Sequence, residues 1–302
     1  MEKVIVVIGP TSVGKTKMGV ALAKKFNGEV ISGDSMQIYK QMDIGTAKVT
    51  EEEKEGIIHH CVDILNPDET YSVHDFQQTV RKKITEITQR GHVPIIVGGT
   101  GLYIKAALYD YQFDEMENDH HAINEKYKDY TNEQLHDHLK SIDEESAKIL
   151  HFNNRRRVLR AIEIYETTGK RKSEMLEEQE HICLYDAYFV GLTLPRDVLY
   201  ERINKRVDVM MENGLKEEME RLYSQGLTRN HQSMKAIGYK EWFDYYDHQI
   251  DLNDVLELIK KHSRQYAKRQ YTWFKNQFDV HWYDVNLENF EQTIEQVTAV
   301  SY

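Results

Sequence analysis

Residues 9–16 read Gly9-Pro10-Thr11-Ser12-Val13-Gly14-Lys15-Thr16, the complete spacing of a phosphate-binding loop. Glycines let the backbone curl so that its N–H groups point at phosphate oxygens, and the helix that follows adds the positive end of its dipole. Lys15 supplies a point charge, and the Thr16 hydroxyl can ligate Mg²⁺. Such a loop grips a polyphosphate or a diphosphate. It does not say which, or what is done with it.

Asp34 follows the short strand-like segment 29–32 by two residues and falls near the loop. A carboxylate there could coordinate Mg²⁺ or accept a proton from a nucleophile, or it could be an ordinary turn aspartate. Gln37 carries both a donor and an acceptor, which suits reading a base edge. Phosphoryl-transfer enzymes of this loop type usually place an acid after a fully apolar strand to help hold the metal. Here the apolar run 94–97 ends in Gly98-Gly99, and Asp63 is a weak substitute. A kinase acting on a nucleotide or small metabolite, with an inserted lid, remains the alternative to a loop that binds a diphosphate without transferring a phosphoryl group.

The elements that must position these groups follow from patterning. Val4–Ile8 reads as a buried strand, 15–26 as a helix, 29–32 as a strand and Val73–Arg90 as a helix opened by Ser72 with Asp75 three residues on. A second apolar strand at 94–97 and a helix at 102–108 complete a βαβ rhythm, which predicts a parallel sheet with helices on both faces. Ligands of such sheets bind beyond the carboxyl ends of the strands, where the loop, Asp34 and Thr100 all fall. Between about 113 and 184 the rhythm gives way to helical spacing. The predicted organisation is therefore α/β: a phosphate-loop core in two parts, 1–112 and 185–302, interrupted by a helical insertion at 113–184. In the second part a strand at 187–194, helices from Pro195 to Met211 and at 216–224, 234–246 and 253–276, and a closing strand at 280–283 are expected.

A net charge of −11 argues on its face against nucleic acid, but the charge is segregated. Residues 110–145 hold twelve Asp/Glu against three Lys/Arg, whereas 153–172 hold seven Lys/Arg against two Glu, and 256–278 hold six against one. Local fields, not totals, guide a polyanion to a surface. Arg156, Arg157 and Arg160 share a helix face, with Val158, Ile162 and Tyr165 on a separate apolar stripe. Lys260, Arg264 and Lys268 form a second basic stripe that could contact nucleic acid or simply face solvent. No run resembles a secretion signal or a membrane span, and two cysteines without metal-type spacing, Cys61 and Cys183, suit a reducing cytoplasm.

The loop at 9–16, the run Asp34-Ser35-Met36-Gln37-Ile38-Tyr39 through Lys48, Gly98–Tyr103, Arg156–Lys170, Ala236–Glu241 and Ala267–Phe274 together resemble the tRNA dimethylallyltransferases, the tRNA isopentenyltransferase family. The resemblance spans nearly the whole chain in order. That family usually has Ala-Ser where this chain has Ser12-Val13. It implies an enzyme that moves a dimethylallyl group from dimethylallyl diphosphate to N6 of adenosine 37 in tRNAs reading codons that begin with U. It implies Asp34 as general base, with Lys15, the loop amides and Mg²⁺ on Thr16 stabilising the departing diphosphate, and Thr11 donating to the bridging oxygen. Arg206 is a candidate further clamp, or an exposed helix arginine. Ser35, Met36, Gln37 and Thr100 would line a flipped base, and Arg156, Arg157, Val158, Leu159 and Arg160 would meet the anticodon stem-loop. The expected partners are tRNA and dimethylallyl diphosphate, with no membrane and a monomeric enzyme.

Overall fold

The computed structural model describes residues 1–111, 120–177 and 181–299. The predicted boundary at 112/113 and part of the acidic run lie outside these residues. The chain divides into two compact units, Met1–Tyr109 with Cys183–Tyr302, and Asp110–Ile182.

The first unit runs β1 (Lys3–Ile8), α1 (Lys15–Phe26), β2 (Gly28–Ser32), α2 (Glu51–Lys54), β3 (His59–His60), α3 (Val73–Gln89), β4 (Val93–Val97) and α4 (Gly101–Leu108). The second unit is helical among its described residues: α5 (His120–Lys126), α6 (Asn132–Ile142), α7 (Glu144–Ile149), α8 (Arg155–Thr168) and α9 (Lys172–Glu177). The first unit then resumes with β5 (Asp186–Thr193), α10 (Arg196–Glu212), α11 (Leu215–Ser224), α12 (Trp242–Tyr246), α13 (Leu252–Gln277), β6 (His281–Asp284) and α14 (Phe290–Thr298).

The six strands form one sheet in the order β3-β2-β4-β1-β5-β6, every pair parallel. β1 is buried on both faces, and its side chains alternate between two cores. Val4, Val6 and Ile8 join one apolar cluster, while Ile5 and Val7 join the other. This is the phosphate-loop type of α/β fold, with β1 at the centre and helices on either face.

Local signals explain the helix starts. The Ser72 hydroxyl accepts from Asp75 N–H while Asp75 reaches back to Ser72 N–H, a reciprocal cap that opens α3. Asp251 and Asp254 open α13 in the same way.

One expected element is broken. The helix anticipated over 234–246 is a 3₁₀ turn at Ser233–Lys235, a non-helical stretch, and then α12. Gly238 takes φ +97°, its N–H is caught by Glu241 Oε2 at 2.9 Å, and its carbonyl accepts from Trp242 Nε1 at 2.9 Å. A left-handed residue held from both sides cannot continue a helix. The short helices α2 and α14 and the two-residue strand β3 were not signalled by periodicity.

Both cysteines are free, and burial pushes the Cys61 thiol up to about 11. Among the described residues no helix is long and apolar enough to cross a membrane.

Candidate active site

The phosphate loop connects β1 to α1. Gly9 has φ +147°, and a Cβ there would sit 2.5 Å from the Leu192 carbonyl oxygen of β5, so the neighbouring strand demands a glycine. Ser12 adopts a left-handed backbone at φ +67°, and Val13 is fully buried in the core beneath the loop. The Ser12-Val13 pair thus divides its work: Val13 anchors, and Ser12 faces α10. The Ser12 carbonyl accepts from Arg202 Nε at 3.0 Å, and its hydroxyl lies 3.5 Å from a guanidinium nitrogen of Arg206.

That same Arg206 nitrogen donates to the Thr11 hydroxyl at 3.3 Å. Arg206 is therefore turned onto the loop and not out to solvent. Burial pulls its pKa below the ordinary value, with the Asp34 carboxylate opposing. The Lys15 ammonium donates to the Pro10 carbonyl at 2.8 Å. Burial pushes Lys15 down to about 7, Arg206 pushes the same way, and Asp34 opposes. Two crowded cations with a desolvated loop form a site short of negative charge, which a diphosphate would supply.

Asp34, just past the end of β2, accepts the Met36 N–H at 2.8 Å through Oδ1. It is thus a turn aspartate whose carboxylate also interacts with the loop cations Lys15 and Arg206. Thr100, which precedes α4, accepts the Ser35 N–H at 3.2 Å and donates to the Ser35 hydroxyl at 3.4 Å. Gln37 is tied at both ends: Oε1 accepts from Ser32 Oγ at 3.1 Å, and Nε2 donates to the Thr46 and Ala47 carbonyls at 3.4 and 3.3 Å.

Thr11, Ser12, Arg206, Asp34, Ser35 and Met36 border one cavity of about 340 Å³. Ile203, Val207 and Met210 of α10 and Ile259 of α13 give it an apolar wall. Ile203, Val207 and Met210 follow a helical stripe that includes Arg206, so one face of α10 passes from cation to hydrocarbon. The cavity is of a size usual for small-molecule sites and offers a charged end beside an apolar lane.

Several expectations need correction. Val158 and Leu159 are 0% and 5% exposed and pack with Leu135, Leu139 and Ile162 in the core of the second unit, so their side chains cannot meet a tRNA. Arg156 and Arg157 are exposed; Arg160 is half-buried and paired with Glu163 at 2.8 Å. The Lys260–Lys268 stripe is largely spent on α10, because Lys260 pairs with Asp208 at 2.8 Å and Arg264 donates to Asn204. Asp63 is engaged by Lys48 at 2.5 Å and is no metal acid for the loop.

Gln270 was missed. Its Oε1 accepts from the Thr11 N–H and its Nε2 donates to the Gly99 carbonyl, both at 2.9 Å. Tyr266 of α13 donates to the same Gly99 carbonyl at 3.2 Å and borders the cavity. Arg202 was passed over too, although its spacing from Arg206 places both on one helix face.

Residues 37–277 match the family model described as IPP transferase. A protein of Bacillus cereus named tRNA dimethylallyltransferase is 55% identical over 287 residues, which are 94% of this chain and 90% of that protein. The crystal structure of a tRNA isopentenylpyrophosphate transferase from Staphylococcus epidermidis is similar, with TM-score 0.73 and 47% identity over 99% of this chain and 98% of that one. A structure of a eukaryotic dimethylallyltransferase acting on tRNA is similar at TM-score 0.86 and 33% identity, covering 99% of this chain and 78% of that one. With matches of this extent at both sequence and structure level, the chain belongs to the IPP transferase family.

Proposed function

We propose that this enzyme transfers the dimethylallyl group of dimethylallyl diphosphate to N6 of adenosine 37 in tRNAs reading codons that begin with U, releasing diphosphate. The observation that carries the reading is Arg206 clasped to Thr11 and Ser12 while Asp34 borders the same cavity. The loop amides, Lys15, Arg202 and Arg206 take the diphosphate, and the apolar wall takes the five-carbon chain. The adenine, extruded from the anticodon-loop stack, presents its amine to the allylic carbon. The N6–C bond forms as the C–O bond to diphosphate breaks, and Asp34 receives the N6 proton. An allylic carbon shares positive charge, so much of the barrier lies in the departing oxygen, where Thr11 and the cations act.

Mg²⁺ fits this donor set in a particular way. Among the described residues no cluster of three His, Cys, Asp or Glu side chains could cage a cation. The Thr16 hydroxyl, on the first turn of α1, would hold the ion together with substrate oxygens and water, as Mg²⁺ commonly prefers. Bound there, it neutralises charge on the leaving diphosphate. The reading is of a monomeric enzyme that meets its tRNA in the cytoplasm.

Incubation with labelled dimethylallyl diphosphate, Mg²⁺ and bulk tRNA, followed by nucleoside analysis, tests the reading. The expected product is N6-(dimethylallyl)adenosine with one diphosphate per transfer. Unmodified tRNA together with brisk ATP turnover on a small acceptor would overturn it in favour of a kinase.

A further inference from the structure

Glu218 of α11 is 2% exposed, and no cation neutralises it in the bonds it makes. Its charge is met by backbone instead. Oε2 accepts from Asp43 N–H and Ile44 N–H at 2.9 Å each, and Oε1 accepts from Gly45 N–H at 3.1 Å and from the Tyr239 hydroxyl at 2.6 Å. Three successive amides converging on one carboxylate form an anion nest filled by the protein itself. Gly45 is needed in it, because a Cβ there would lie 2.5 Å from the Tyr239 ring. Burial, and then Glu218, holds the Tyr239 pKa well above its ordinary value, so the hydroxyl stays a donor.

The segment so gripped leads directly to Thr46 and Ala47. Their carbonyls accept both protons of the Gln37 amide nitrogen, while Gln37 Oε1 accepts from Ser32. Two carbonyl acceptors fix which end of the Gln37 amide is which. One lone pair of Gln37 Oε1 is then left over, an acceptor that suits the donor edge of an aminopurine. Gly45, Thr46 and Ala47 also border the cavity.

We infer that Glu218 is a positioning residue for the target base: through residues 43–47 it sets the orientation of the Gln37 amide. The inference rests on the dimethylallyl-transfer reading. It makes Glu218 specific to the tRNA side of the reaction. The donor side is built by the phosphate loop and α10, which Glu218 does not touch in any of these bonds.

The test is a double-mutant cycle on purified enzyme, with KM for dimethylallyl diphosphate and kcat on tRNA both measured. Glu218→Gln places an amide nitrogen against backbone N–H groups and loosens the nest. The expected result is a kcat lower by about ten- to a hundred-fold, the scale of a misplaced reacting group, with donor KM within about two-fold. In a Gln37→Ala background the same substitution should cost far less, because the two residues act in series. An equal loss in both backgrounds, or a wild-type rate, overturns the inference and leaves Glu218 a structural residue. Should Glu218→Gln fail to melt cooperatively, Tyr239→Phe carries the same test with a smaller loss, since it removes one donor of four and keeps the ring. An equal loss from Tyr239→Phe with and without Gln37 overturns it likewise. Wild-type enzyme that prenylates no tRNA rejects the transferase reading itself, a separate result.

Discussion

The side-chain carbonyl of Gln270 accepts the backbone N–H of Thr11 at 2.9 Å, although 259 residues separate them. The same amide donates to Gly99. One buried glutamine in α13 therefore ties the loop after β1 to the loop after β4. These are the two turns that carry the phosphate loop and Thr100, so on the proposed reading the donor and acceptor sides of the reaction share a strut.

Replacing Gln270 should expose that strut in two distinguishable ways. Gln270→Ala leaves the Thr11 N–H unpaired, at roughly 1–3 kcal/mol, and the Gly99 carbonyl with the Tyr266 hydroxyl as its remaining donor, and should lower the melting temperature. Gln270→Glu keeps the size but sets a carboxylate against the Gly99 carbonyl and close to the diphosphate. It should raise KM for dimethylallyl diphosphate by about ten-fold or more, above the effect of Ala. Equal donor KM values for the two variants would mean that charge beside the loop is unimportant.

Asp34 serves as turn and as carboxylate, so the informative replacement separates the two. Asparagine can still accept the Met36 N–H but takes no proton at neutral pH. Asp34→Asn should reduce single-turnover transfer by about 10²–10⁴-fold and leave tRNA affinity within about two-fold. A near-normal rate in Asp34→Asn would remove the base role and keep only the turn.

The Lys15 pKa of about 7 gives donor binding a pH dependence of definite sign. Free enzyme above pH 7 carries a largely neutral Lys15, while a bound diphosphate favours the ammonium. Binding above pH 7 therefore takes up a proton, and donor affinity should weaken by up to about ten-fold per pH unit until the bound-state pKa is reached. Below pH 7 this contribution is flat. Calorimetry at pH 8 in buffers of different ionisation enthalpy should register the uptake. Lys15→Arg, charged throughout, should show none; equal uptake in both proteins would assign the proton elsewhere.

The sequence was most legible where one short segment decides the outcome. The apolar run at Val4–Ile8, the glycines around Lys15 and the Ser72–Asp75 box each carry their own instruction, and β1, the loop and α3 form there. Legibility failed where a partner is remote. Nothing near Gln270 announces Thr11, and nothing near Glu218 announces the amides of 43–45. The break after Lys235 was hidden because helix-forming residues surround Gly238, while Glu241 and Trp242 fix it in a non-helical turn. Val158 and Leu159 sat inside a basic motif, but the 3.6-residue period turns them inward and leaves Arg156 and Arg157 outside.

That division of α8 predicts two phenotypes from neighbouring arginines. Arg155 donates to the Tyr127 and Tyr130 carbonyls at 2.7 Å, so it braces the second unit. Arg157, with Arg160, crowds Lys172, whose pKa is lowered first by burial and then by these two guanidiniums. A patch of like charges held together at such a cost is relieved by a phosphate. Arg156→Ala with Arg157→Ala should therefore weaken tRNA binding and reduce the slope of log K against log salt by about one to two, measured between 50 and 200 mM salt, with folding intact. Arg155→Ala should instead lower the melting temperature with little change in slope. Were the double variant to keep the wild-type slope, α8 would lie outside the phosphate interface and its exposed arginines would serve the second unit alone.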